Sequence, residues 1–71
     1  MNWTPGDYDR LERAIAERSR IQLHRRGGEL VILPERLRTD FGAEVLTARH
    51  PGTGDRLEVP LHEIDAFLVL E

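Results

Sequence analysis

The sequence predicts a mainly β domain in which one N-terminal helix precedes about five short strands bent into a small antiparallel barrel. Three observations carry this. Apolar residues near the start recur at helical spacing, and from Arg20 onward they alternate with a period of two. Turn formers gather at Gly27-Gly28 and again at His50-Pro51-Gly52-Thr53-Gly54-Asp55. The 71 residues are enough for one domain and too few for two. The domain is expected to span residues 1–71, with the helix near 5–18 and the barrel near 20–70.

The helix is expected to start at Thr4, an N-cap residue, with Pro5 in the first helical position. Asp7 follows three residues later, close to capping-box spacing. Asp7 and Asp9 also suit the positive end of the helix dipole. Tyr8, Leu11 and Ile15 form one apolar stripe that Ala14 widens. The stripe is narrow, which fits a helix lying on a sheet. Asp9 and Arg13 have the spacing of an acid-to-base pair on an outer face.

Ile21 and Leu23 alternate with Arg20, Gln22 and His24 in the first strand. Gly27-Gly28 reads as a tight hairpin turn, because a type I′ turn needs positive φ at both central residues. Leu30-Val31-Ile32-Leu33 is the second strand, and Pro34 ends its regular pairing or marks a bulge. Glu35 to Gly42 is polar, with Leu37 and Phe41 expected to point inward. Glu44 to Arg49 forms the third strand. Leu57, Val59 and Leu61 alternate with polar residues in the fourth, where Pro60 implies an edge or an end. Leu61 to Asp65 reads as one tight turn, and Phe67 to Leu70 as the last strand. This order, with the helix first, is the layout of an Sm-like or SH3-like barrel.

Composition narrows the function. There is no Cys, so neither a disulfide framework nor a Cys-based zinc site is possible. So short a chain buries only about 60% of its unfolded surface, which argues against a deep enclosed active site. The longest uninterrupted apolar run is Ala66 to Leu70, whereas a membrane span needs about 20 residues. The opening Met1-Asn2-Trp3-Thr4-Pro5 has no basic segment leading into an apolar one. A soluble cytoplasmic protein is therefore expected.

Candidate chemistry is sparse. His24, His50 and His62 fall on a strand, in a loop and in a turn. The nearest thing to a metal site is His62-Glu63-x-Asp65, better read as a solvated turn because metal sites need three or four convergent ligands. Ser19 is the one serine and sits at the helix end, so no Ser-His-Asp arrangement is expected. The glycines lie between strands rather than between a strand and a helix, which is turn chemistry and not phosphate binding. No catalytic residue, metal or cofactor is expected.

Binding surfaces are better supported. Asp7, Asp9 and Glu12 lie on the first helical turns beside Trp3 and Tyr8. Besides favouring the helix dipole, they would offer an acidic and aromatic surface to a basic protein partner. Arg18, Arg20, Arg25 and Arg26 flank the first strand and form the alternative, a nucleic-acid surface. The net charge of −3 and the four aromatic residues count against that alternative. A third expectation is pairing between copies through an exposed barrel edge, giving a monomer or a small homo-oligomer.

The segment Trp3-Thr4-Pro5-Gly6-Asp7-Tyr8-Asp9-Arg10-Leu11-Glu12-Arg13-Ala14 resembles the opening of the Rof family of Rho-binding antiterminators. Gly28-Glu29 resembles that family's first hairpin, and Leu61-His62-Glu63-Ile64 its closing segment. The resemblance implies an Sm-like barrel that binds the transcription termination factor Rho and obstructs RNA access to Rho's primary RNA site. It implies Asp7, Asp9 and Glu12 as contacts, with Tyr8 and Leu11 holding the helix to the barrel. A second resemblance, of Leu11 to Ile21, Thr53-Gly54 and Pro60 to Ile64, is to the WYL domain of bacterial transcription regulators. That one implies a barrel that binds nucleic acid or another ligand.

Overall fold

The computed structural model describes residues 1–70; residue 71, the last of the expected domain, lies outside them. Helix α1 (Pro5–Glu17) is followed by strands β1 (Arg20–Arg25), β2 (Gly28–Asp40), β3 (Ala43–Arg49) and β4 (Arg56–Pro60). A 3₁₀ turn, Leu61–Glu63, then leads to β5 (Ala66–Leu70). All strand pairs are antiparallel, in the order β4-β3-β2-β1-β5. This is the expected class: mainly β, with one helix in front.

The connection from β4 to β5 shows why the sheet must curl. These strands end the sheet order on opposite sides, yet only residues 61–65 separate them. Flat, the two edges would stand roughly 19 Å apart, at about 4.8 Å per strand. The linking residues, three of them in a 3₁₀ turn, reach only about 16 Å. The bend is placed in β2. Its register with β3 shifts between Pro34 and Arg36, so its first half pairs with β1 and its second with β3. Proline lacks the donor that regular pairing needs, which makes Pro34 a natural site for the bulge.

The core fills the space inside the bend. Leu11 and Ala14 from α1 meet Ile21 and Leu23 (β1), Ile32 (β2), Leu46 and Ala48 (β3) and Val59 (β4). Leu61, Ile64 and Phe67 close it at the 3₁₀ turn and β5. No polar or charged residue is buried among the described residues. Register follows from this core. Ile21 faces Ile32 and Leu23 faces Leu30, and a slip of one residue would turn one strand's pair outward.

Four local expectations need correction. The helix ends at Glu17, not 18, because Arg18 adopts a left-handed conformation (φ 55) that turns the chain into β1. The first hairpin turns on Arg26-Gly27 (φ 49 and 75) and not on Gly27-Gly28, since Gly28 is already paired with Arg25. The polar stretch after Pro34 is strand, because its residues pair with β3 from Arg36 to Asp40, with Leu37 facing the buried Leu46. Phe41 does not point inward at all. It is 103% exposed at the tip of the β2–β3 hairpin.

Candidate binding surface on the helix

The N-terminus of α1 is fixed by a complete capping box. The Thr4 backbone N–H donates to Asp7 Oδ2 at 2.9 Å, and the Asp7 N–H donates to Thr4 Oγ1 at 3.2 Å. Arg10 donates to the other Asp7 oxygen at 2.9 Å. Asp7 is therefore occupied by the cap. These bonds, the Thr4 backbone donor first and the Arg10 guanidinium next, hold its carboxyl below the usual carboxylate value. A depressed folded-state pKa adds stability above the ordinary carboxylate range, and that stability is lost as pH falls through the folded value. Asp7→Asn is expected to flatten the acid limb of the stability–pH curve below about pH 4, read from unfolding midpoints between about pH 2 and 7. An acid limb unchanged in the variant would contradict the assignment.

Trp3 is half-buried rather than freely presented. Its indole N–H donates to the Leu61 carbonyl at 3.2 Å, its ring stacks on Phe67 at 5.4 Å, and the Tyr8 ring lies tilted against it at 5.3 Å. Trp3 thus ties the N-terminal segment to the 3₁₀ turn and β5. Tyr8 reaches β3, where its hydroxyl donates to Glu44 Oε1 at 2.6 Å. That hydrogen bond raises the Tyr8 pKa, and loss of solvent adds to the rise. Met1, Trp3, Tyr8, Ala43, Glu44, Leu61 and His62 enclose an open cleft of about 370 Å³.

Asp9 and Glu12 fall on one side of α1, and Arg10 and Arg13 fall on the other together with Asp7 and Glu17. Residues of a helix advance by about 100° each. Going round from buried Leu11, Glu12 comes on the side of Tyr8, with Asp9 further out, and Arg10 comes on the other. Arg10 sits 4.6 Å over the Phe67 ring, and Arg13 lies with Glu17 beside Val69, so the side of mixed charge faces β5. The acidic side continues through Tyr8 to Glu44 on β3. Asp9 and Glu12 are exposed. The ion pair expected between Asp9 and Arg13 does not form among the described residues, where the helix pairs Arg10 with Asp7 instead.

The four arginines do not form one patch. Arg18 and Arg20 lie where α1 meets β1, and Arg25 and Arg26 lie at the far end of the strand, about 17 Å away at about 3.4 Å per residue. Arg25 and Arg26 both approach Glu63, at 3.7 and 3.6 Å. Arg18 and Arg20 are exposed and line a shallow cleft of about 560 Å³ with Ser19, Val31 and Leu70. The histidines do not converge. His50 Nδ1 accepts the Gly52 and Thr53 N–H groups of its own loop, and His24 lies 3.7 Å from Glu29. Glu63 turns to the arginines and Asp65 accepts the Arg26 N–H, so neither joins His62. No group of three metal-binding side chains occurs among the described residues.

No protein-family model, curated protein or solved structure matches the chain. No helix among the described residues is long and apolar enough to cross a membrane.

Glu44 is the surface residue that sequence reasoning missed. Nothing near it in the chain marks it, because its partner Tyr8 is 36 residues away. The same bond gives Tyr8 its second role, as the link between the helix and β3.

Proposed function

We propose that this domain is a binding module with no catalytic role, and that its acidic helix side docks on a basic protein surface. The observation that carries this is the exposure of Asp9 and Glu12 on the side of α1 that Tyr8 ties to Glu44, next to the Trp3–Tyr8 cleft. Complementary charge speeds encounter and fixes orientation, and aromatic residues supply contact area at low entropic cost. Together with the resemblance of Trp3 to Ala14 to Rho-binding antiterminators, this makes Rho the proposed partner, with occlusion of its RNA site as the mechanism. Asp9 and Glu12 are the proposed contacts, and Asp7 supports them through the cap. The setting of such a function is the bacterial cytoplasm.

RNA-stimulated ATP hydrolysis by Rho is expected to fall as the domain is added. Absence of both inhibition and binding at micromolar concentration would sink the proposal. A second reading, binding of nucleic acid in the manner of a WYL-like barrel, draws on the exposed guanidinium groups of Arg18 and Arg20 at one end of β1. It predicts chemical-shift changes at those two residues on titration with short RNA, and little change on the acidic helix side.

A further inference from the structure

We infer that Phe41 is an anchor that enters an apolar pocket on a basic protein partner, with nearby carboxylates steering the approach. The inference rests on the acidic side of the domain being a protein-docking surface. Phe41 projects from the β2–β3 hairpin with its ring 103% exposed. Single exposed apolar residues are common and need no explanation. This one also has an unfavourable backbone. Phe41 and Gly42 have φ of 50 and 80 between the paired residues Asp40 and Ala43, the two-residue turn that favours Asn-Gly. A bulky residue with positive φ is an outlier wherever it occurs.

The other tight hairpin of the chain provides the contrast. Arg26 has the same left-handed conformation, but its N–H donates to Asp65 Oδ2 and its guanidinium lies 3.6 Å from Glu63. Arg26 is integrated into the fold and soluble. Phe41 is neither packed in the core nor part of the aromatic cluster of Trp3, Tyr8 and Phe67. Its ring contributes apolar surface only to something outside the domain.

The surrounding charge selects what that is. Asp40 and Glu58 share a single guanidinium, Arg38, at 3.9 and 2.8 Å, which leaves one negative charge over. Glu44 lies three residues beyond Phe41 and joins the tip to the acidic side of α1 through Tyr8. The next guanidinium on β2, Arg36, is about 17 Å along the strand at about 3.4 Å per residue and level with Glu58 in the register, so the tip itself holds two carboxylates, Asp40 and Glu44, against the Arg38 guanidinium. An aromatic ring amid carboxylates is repelled by phosphates and anionic lipid, and is complementary to a basic protein surface with an apolar recess.

The test compares the wild-type chain with Phe41→Asn, Phe41→Tyr and the pair Asp9→Asn with Glu12→Gln, each measured against intact Rho. Asn suits the turn and removes the ring. Phe41→Asn is expected to leave Tm unchanged or raised and to increase Kd at least about tenfold, chiefly through faster dissociation. Phe41→Tyr keeps a ring and is expected to stay within about threefold of wild type. If Phe41→Asn binds like wild type while the acid pair binds weakly, the anchor is refuted and the acidic docking surface stands. If the wild type does not bind Rho, both are overturned. A lower Tm for Phe41→Asn would give the ring a role in the fold and overturn the inference. So would short single-stranded RNA that binds the wild type and not this variant, since Phe41 would then stack on bases.

Discussion

Leu11→Ala is expected to lower the unfolding free energy by about 3 kcal/mol, within the roughly 2–5 kcal/mol seen when a buried leucine is truncated. Leu11 has no exposed surface, and it is the largest residue that α1 buries against the barrel. The loss combines lost transfer energy with an unfilled cavity. A disulfide-free domain of this size rarely has more than about 3–5 kcal/mol to lose, so the variant is expected to be substantially unfolded in water. Urea unfolding followed by the fluorescence of the one tryptophan, Trp3, reads this directly. Trp3 stacks on Phe67 and lies tilted against Tyr8, so its signal reports the docking of the N-terminal segment as well as the core. An unchanged midpoint would mean that the helix is not seated on the barrel through Leu11.

Replacing both Asp9 and Glu12 by Lys is expected to weaken the proposed binding to Rho by about a hundredfold, because like charges brought together across an interface cost several kcal/mol. The neutral pair, Asp9→Asn with Glu12→Gln, should lose less and should show a shallower dependence on salt. Asp9 and Glu12 lie beyond the first turn, where the helix dipole has largely faded, so the lysines should cost the helix little. Unfolding midpoints of both variants separate that effect from docking. Neither side chain is buried and neither belongs to the cap, so the neutral pair should fold like wild type. Full affinity in the lysine variant would remove the acidic side from the interface.

The sequence announces the elements of this fold more clearly than their joints. Thr4, Pro5 and Asp7 mark a helix start whose capping box is complete, because every participant is within three residues. The alternation of Ile21 and Leu23 marks β1 for the same local reason. The second half of β2 is less visible. Its polar residues and Pro34 hide a strand whose pairing is fixed by β3, through contacts such as Leu37 with Leu46. Arg26-Gly27 was hidden by a neighbouring glycine that offers an equally good turn, and only the facing pairs Ile21–Ile32 and Leu23–Leu30 choose between them. Phe41 was misplaced because an aromatic residue in a polar stretch is normally an anchor for the core.

The surface was legible in its charges and not in their arrangement. Asp9 and Glu12 could be placed on the helix by spacing alone. That Arg10 would pair with Asp7, and that Glu44 would extend the acidic side, depends on side-chain partners that spacing does not reveal. The arginines appear close in the chain because β1 is short, but an extended strand separates its two ends more than a helix of equal length would.

The bend in β2 has a dynamic consequence. This strand pairs with β1 on one side of its bulge and with β3 on the other, so neither half of the barrel owns it. Peeling either half away exposes part of the same core, in which Ile32 and Leu46 are both fully buried. Partial opening is therefore expensive, and amide protons on both sides of the bulge should exchange with solvent only through global unfolding, at a common rate. The outer strands β4 and β5 pair on one side only and should exchange earlier. A domain this small then behaves as one cooperative unit, with its local motions confined to strand edges and hairpin tips.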